Sequence, residues 1–480
     1  MGVIYQPDKA LFWKYFEEMC AIPHGSGNIT AISNYLVDFA RKHELKYVQD
    51  EVGNVVIYKD ASEGYENEPG VIIQGHMDMV AVKDDDCSLD LTKDGLKLVI
   101  DGDWLTAEGT SLGGDDGIAV AYALAILADK EAKHPYLEVV VTVDEEVGMD
   151  GAIALDGSLL KARRMLNIDN EGEGILLTSC AGGSKIECSI PVERKERTAN
   201  VYELSVSGLK GGHSGIMIHD HRVSAAVILA RYLCELKTVR TRIIDIQCGT
   251  KDNAIADSGY MKFICSAPLP DVCETVQFYT DVLKEELASK EPDFEVKFNC
   301  VGQGMPVNAL HKADSDRIMD FFLALPQGVD TMSADIPGLV ETSDNIGVVK
   351  LNENEFNVTV SVRSSFASAK QALCDKIIAI ATLAGGTSTQ SGDYPGWAFR
   401  KDSPLRDKMV EIYKEMTGKD AKIEAVHAGV ECGIFAEKLP GLDCVSFGPD
   451  MEDIHTTKER LSISSSERVF EYVVRILASK

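Results

Sequence analysis

No Cys-x-x-Cys pair and no finger-like Cys/His spacing occurs among the twelve cysteines of this 480-residue chain. That excludes the common thiolate zinc frameworks. Cys87, Cys180, Cys234, Cys374 and Cys444 lie scattered, several in apolar stretches, as reduced thiols of a cytoplasmic protein do. Long apolar runs are missing too: nothing approaches the roughly 18 uninterrupted apolar residues of a membrane span. The opening residues, Met1-Gly2-Val3-Ile4-Tyr5-Gln6-Pro7, lack the basic region and apolar core of a signal peptide. Positive charge is scarce. Forty-eight Lys and Arg stand against 76 Asp and Glu, a formal net charge of −28, which argues against nucleic-acid phosphates or an anionic membrane as partner. Internal repeats and low-complexity stretches are absent. The expectation is a cytoplasmic protein with neither nucleic acid nor membrane as partner.

What is present is an ordinary globular composition, 45% hydrophobic and 26% charged. The chain is too long for one core, so at least two domains are expected. Apolar residues at helical spacing predict helices over 8–22 and 30–43, and a small-residue apolar helix over 117–127. β-Branched runs predict strands at 55–58, 71–73 and 138–143, and an apolar run predicts another at 165–168. Alternation of strands and helices predicts an α/β domain, a largely parallel sheet flanked by helices. From about Ser184 the texture changes: 201–206 and 356–362 alternate as half-exposed strands, with helices over 223–236 and 272–287. That region reads as an α+β domain with a one-sided sheet. Beyond Trp397 come helices over 403–416 and 464–478 and a strand over 443–447. The expected organisation is a discontinuous first domain, 1–184 and 397–480, with a second domain inserted over 185–396.

Chemistry-bearing groups gather where strands should end. Gln74-Gly75-His76-Met77-Asp78 follows the run at 71–73, and Asp144-Glu145-Glu146 follows 139–143. Asp169 follows Asn167-Ile168, and His455 comes after the late strand and its Gly448-Pro449 turn. In open α/β sheets ligands collect beyond the carboxyl ends of strands. In extended chain His76 and Asp78 point the same way, so a carboxylate can fix the ring's second nitrogen. The glycines of 109–117 permit close backbone approach before a helix; Asp115 or Asp116 there could ligate a metal or cap that helix. Glu145 and Glu146 can divide ligation and proton transfer between them. Singly, each motif also suits a turn, a cap or an acidic loop. Together, two histidines, three carboxylates and a spare carboxylate point to divalent metal chemistry. Asp84-Asp85-Asp86 lacks the glycine and distal glutamate of a calcium loop and reads as solvated surface.

The ordered set Gly75-His76-Met77-Asp78, Gly114-Asp115-Asp116-Gly117, Asp144-Glu145-Glu146-Val147-Gly148, Asn167-Ile168-Asp169 and His455 resembles the cocatalytic dizinc exopeptidases of the glutamate carboxypeptidase/aminoacylase superfamily. Ile22-Pro23-His24-Gly25-Ser26-Gly27-Asn28, Gly211-Gly212-His213-Ser214-Gly215 and His455-Thr456-Thr457-Lys458-Glu459-Arg460-Leu461-Ser462 resemble its aminoacyl-histidine dipeptidase branch. The resemblance runs essentially end to end. It implies a zinc-exopeptidase-like catalytic domain interrupted by a lid and dimerisation domain. It also implies two divalent ions, zinc first with manganese or cobalt as alternatives. Asp115 would bridge them, His76 and Asp169 would complete one site, and Glu146 and His455 the other. Asp78 would orient His76, Glu145 would be the general base, and a cis peptide would follow Asp115. His213 would reach the substrate carbonyl or its oxyanion, while Asn253, Arg363 and Gly429 would help hold the substrate. Read alone, Asn253 suits a turn, while Arg363 after its strand suits a surface cation less well than a functional role. The implied activity is hydrolysis of dipeptides by a homodimer, Xaa-His and β-alanyl-histidine included, through a hydroxide shared by the ions. An aminoacylase or deacylase acting on N-acyl amino acids, and a non-catalytic metal- or peptide-binding protein, are the alternatives.

Overall fold

The computed structural model describes residues 2–6 and 9–480; Asp8, where the first helix was expected to begin, lies outside them with Met1 and Pro7. The chain divides into two compact units. One comprises Met1–Ser179, Trp397–Ala425 and Val430–Lys480; the other comprises Cys180–Gly396 and Val426–Gly429. The boundary expected after residue 184 falls inside the strand Gly182–Pro191. Both partners of that strand, Glu355–Ser364 and Thr387–Tyr394, belong to the second unit. Strand pairing, which composition does not report, therefore sets the limit.

The eight-stranded sheet of the first unit runs, in spatial order, Lys46–Gln49, Val55–Lys59, Leu137–Thr142, Val71–His76, Arg164–Asn167, Asp443–Ser446, Ile175–Cys180 and Lys422–Val426. Its four central strands, from Leu137–Thr142 to Asp443–Ser446, are mutually parallel. Val55–Lys59 and Ile175–Cys180 join them antiparallel on either side. The strands Val71–His76, Leu137–Thr142 and Asp443–Ser446 are buried at every position, as parallel strands covered on both faces must be. One consequence governs the site: parallel neighbours release their carboxyl ends along a single edge.

The helix Gly114–Ala128 lies against this sheet. Its alanines and glycines allow an approach that larger side chains would block. A Cβ at Gly117 would stand 3.3 Å from the Phe16 ring. Phe12, Trp13, Phe16, Tyr122 and Val473 close the same core. The first turn is irregular, with non-helical dihedrals at Asp115 and Asp116 and a cis bond between them, so regular helix begins only at Gly117.

The second unit is built on a nine-stranded sheet. Glu355–Ser364 alternates buried and half-buried positions. Its inward Val358, Val360 and Val362 share a core with side chains of the helices Ala225–Glu235, Leu269–Leu287, Lys312–Ala324 and Ala367–Leu383. A two-stranded ribbon pairs Gly212–His213 with Ala254–Ile255. Among the described residues no helix is long and apolar enough to cross a membrane.

Gly75 is the tightest point under the first unit's helix. A Cβ there would lie 2.3 Å from Asp116 Oδ2 and 2.7 Å from the Ala119 Cβ. Gly75→Ala should lower unfolding free energy by about 1–3 kcal/mol, the usual cost of overpacking a filled core. Urea denaturation reads this directly, and an unchanged midpoint would contradict the close contact.

Candidate metal centre

Asp115 stands between two imidazoles. Its Oδ1 is 3.1 Å from His76 Nε2, which in turn is 3.6 Å from Asp169 Oδ1. Its Oδ2 is 3.1 Å from His455 Nε2, itself 2.9 Å from Glu146 Oε1. One carboxylate thus turns each oxygen toward a separate histidine–carboxylate pair. His76 ends the strand Val71–His76, Glu146 follows Leu137–Thr142 and Asp169 follows Arg164–Asn167, so the parallel strands deliver three donors to one edge.

His76 Nδ1 lies 2.9 Å from the Asp78 carbonyl oxygen. Donation there leaves the Nε2 lone pair facing Asp115 and Asp169, the arrangement typical of a metal-ligating imidazole. The Asp78 carboxylate is farther from the ring, at 3.5 Å. Its oxygens accept instead from Ser26 Oγ (2.8 Å), Glu145 N (3.1 Å) and Glu146 N (3.4 Å). It ties the Ile22–Asn28 motif to the Glu145–Glu146 turn. Asp144, in left-handed backbone at φ 52°, receives the Gly27 N–H at 2.6 Å; Asp tolerates that region better than most residues. His455 is itself left-handed at φ 61°. The Thr456 hydroxyl donates to Asp453 O at 2.6 Å and accepts from Lys458 N at 3.1 Å. Non-glycine residues held in this way collect at functional sites.

The electrostatics are those of crowded acids. Burial, with Asp169, Glu431 and Glu146 nearby and His76 opposing, pushes Glu145 up to about 9. Burial and the Asp115 and Glu146 charges carry Asp169 up to about 6 against the pull of His76. Burial disfavours the charged His76 ring, yet Asp115, Asp169 and Asp78 hold its pKa well above the usual value. Asp115 and Glu146 raise His455 to about 10. Asp115 resists burial because both imidazoles hold it below the usual carboxylate range. Protons retained on acids and rings offset part of this crowding.

The donor set fits divalent cations. Glu146 Oε1 is buried and makes no hydrogen bond among the described residues, although His455 Nε2 is 2.9 Å away. Separations of 2.9–3.6 Å between these atoms match the ~3.0–3.6 Å between ligands that each bind one ion at ~2.0–2.2 Å. Asp116 also lies close, grouped with His76 and Asp169. Its Oδ2 accepts the His76 N–H at 3.2 Å, and burial lifts its pKa well above the normal carboxylate range.

The sequence profile of the peptidase family M20/M25/M40 matches residues 72–479. The chain belongs to that family. It is 36% identical to the cytosol non-specific dipeptidase of Escherichia coli (strain K12), over 99% of both chains. The solved structure of aminoacylhistidine dipeptidase from Vibrio alginolyticus is 35% identical, with a TM-score of 0.93 over 98% of this chain and 96% of that one. Aminopeptidase PepT from Bacillus cereus ATCC 10987, 16% identical at a TM-score of 0.57 over 99% of both chains, shares the fold.

The remaining residues named from this M20 sequence all lie in the second unit. His213 Nδ1 accepts the N–H groups of Gly215 and Ile216, each at 3.1 Å. Its neighbour across the ribbon, Asn253, is exposed and takes the Ser214 N–H on its carbonyl at 2.9 Å. Arg363 donates from Nη1 to Tyr394 OH at 2.8 Å, while its Nε is buried and unpartnered among the described residues. Gly429 is half-buried in the segment Val426–Gly429. Two companions gave no sequence signal. Tyr394 anchors Arg363, and buried His427 lies 2.7 Å from Ser343 Oγ, its pKa lowered to about 3 by burial and Arg363. Glu431 was also missed. It accepts from Thr142 Oγ1 at 2.7 Å and Gln74 Nε2 at 2.5 Å beneath the centre, and burial raises it to about 7.

Folding raises Glu145 to about 9, Glu431 to about 7 and His455 to about 10, from 4.5, 4.5 and 6.5. A raised group binds more protons folded than unfolded. Its contribution is present below the unfolded pKa and lost as pH rises through the folded one. The metal-stripped protein should therefore melt several degrees lower at pH 10 than at pH 6.5, and loading with divalent metal should flatten that slope. Scanning calorimetry across the range checks the sign, which a rising melting temperature would reverse.

Proposed function

We propose that this M20 member is a cytoplasmic, homodimeric metallo-dipeptidase that hydrolyses dipeptides, Xaa-His and β-alanyl-histidine among them. The observation carrying the reading is the divided Asp115 carboxylate, one oxygen toward His76 and Asp169 and the other toward His455 and Glu146. Similarity over nearly the whole chain to a non-specific dipeptidase and an aminoacylhistidine dipeptidase supports the substrate class.

In this reading Asp115 is shared by two sites, one completed by His76 and Asp169, the other by Glu146 and His455. Two divalent ions there, zinc first with manganese or cobalt as alternatives, would supply the charge that brings the pKa of a water near neutrality. The Glu145 carboxylate takes a proton from the attacking water and returns it to the leaving amine nitrogen. Asp78 holds the turn bearing Glu145 and, through its carbonyl, the tautomer of His76. His213 is assigned to the substrate carbonyl. Because Nδ1 accepts two backbone N–H groups, the ring proton sits on Nε2, free to donate as the oxygen becomes anionic. Burial and Arg363 hold that ring below the usual imidazole range, so it donates as a neutral group. Arg363, anchored by Tyr394 at one nitrogen and with Nε unpaired, suits a substrate carboxylate approached bidentately. Asn253 and Gly429 are assigned to substrate binding beside it.

Glu145→Gln should reduce kcat by about 10²–10⁴-fold, the span of general-base contributions, while metal content stays at two ions per chain. Turnover at the wild-type level would remove Glu145 from the mechanism. A panel of unblocked dipeptides against N-acetyl amino acids decides the substrate class, and faster cleavage of the acetylated set would make the enzyme a deacylase. Arg363→Lys keeps the charge but loses the planar fork. Steady-state kinetics should then show KM for dipeptides rising at least tenfold with kcat changed much less, whereas an unaltered KM would release Arg363 from substrate binding.

A further inference from the structure

Glu459 lies four residues beyond His455 and is 3% exposed, a burial that an ionisable side chain rarely adopts without partners. Its partners are backbone. Oε2 accepts the N–H of Leu112 at 2.8 Å and of Gly113 at 3.1 Å, and Oε1 accepts that of Gly114 at 2.8 Å. Three successive N–H groups, with Gly113 left-handed at φ 69°, form a concave anion cradle. The next residue is Asp115. The sequence at the cradle is restricted as well, since a Cβ on Gly113 would meet Met79 Sδ at 2.8 Å.

Glu459 is fixed from its own side too. Its carbonyl accepts from Thr106 Oγ1 at 2.9 Å, and its N–H reaches Thr456 O at 3.2 Å within the His455 turn. A closed circuit results. His455 Nε2 faces Asp115 Oδ2 at 3.1 Å across 340 residues of sequence; the return path runs from Asp115 through the cradle to Glu459 and back along the turn to His455. His76 ends one strand and Asp169 follows another, both outside this circuit.

We infer that Glu459 is a positioning residue that sets the spacing of His455 from Asp115 and thereby holds the metal site of Asp115, Glu146 and His455 in particular. The inference rests on the two-site assignment proposed above. Its signature is asymmetry. Loosening the circuit frees two of the three donors at one site and one of three at the other, so the two ions separate in affinity. A side chain that merely stabilised the fold would weaken both sites alike.

The full-length protein, stripped by chelation, is titrated with Zn2+ and with Co2+, counting bound ions and following the cobalt absorption bands. Wild type should take two ions. E459Q, which turns one acceptor oxygen into an amide facing N–H donors, should keep the first near wild-type affinity and bind the second about ten- to a hundred-fold more weakly, the usual effect of losing an outer partner of a metal ligand. The melting temperature of the metal-free variant reports on its fold. Should E459Q fail to fold, T106V, which removes only the hydroxyl on the Glu459 carbonyl, decides by the same asymmetry on a smaller scale. Two ions bound by the folded variant with wild-type affinities, or an equal loss at both sites, overturns the inference while leaving the two-site assignment standing. Wild type that binds fewer than two ions overturns that assignment, and this inference with it.

Discussion

Acids held close together away from water are the constraint on which this molecule turns. Asp115, Asp116, Glu145, Glu146, Asp169 and Glu431 occupy one edge of one sheet, and Asp116 and Glu431 are fully buried. Two unit charges a few ångströms apart repel by several kcal/mol even at an effective dielectric constant of about 20. Such a group persists only if protons or cations neutralise it. Protons answer part of the demand, as the raised pKa values of Glu145, Asp169, His76 and His455 record. The proposed pair of divalent ions would answer it while leaving the carboxylates ionised, which is the state Glu145 needs to accept a proton. The same repulsion that opposes assembly of the site would then favour cations in it.

Parallel pairing brings three of the donors together. Strands running the same way must end on the same edge, so His76, Glu146 and Asp169, far apart in sequence, arrive as neighbours. Precision comes from elsewhere. Gly75 and the alanines of the following helix let Asp115 and Asp116 descend onto the strand carrying His76, and left-handed backbone at Asp144 and His455 aims the turns inward. The Asp78 carboxylate then joins three segments through Ser26, Glu145 and Glu146.

The features legible in the sequence were those with a local signature. β-Branched and apolar runs marked the strands around His76, Glu145 and Asp169, and small apolar residues marked the helix after Asp116. Parallel character holds for the central strands, where both faces are covered, and gives way to antiparallel pairing on the flanks. Contacts without periodicity were hidden. Nothing near Asp78 tells whether its carbonyl or its carboxylate will meet the His76 ring. Nothing near residue 184 tells that a strand has already begun at Gly182, because its partners lie more than 170 residues later. Tyr394 beneath Arg363, Ser343 beside His427 and Glu431 beneath Thr142 are side-chain pairs between distant segments, which no spacing rule reaches. Glu459 was visible as part of the run after His455, but its cradle exists only once the glycine loop has folded.

The two units divide the chemistry along the same line as their cores. Every proposed metal donor, the proposed base and the residues that hold them belong to the unit built around Phe12, Phe16, Tyr122 and Val445. His213, Asn253, Arg363 and Gly429 belong to the unit built around Val358, Phe263 and Leu229. On the proposed assignments, metal binding rests on one core and recognition of the peptide on the other, each with its own packing. The first group is crowded with like charge and has few arrangements open to it, whereas Arg363 of the second rests on a charge-assisted hydrogen bond to one phenol, Tyr394.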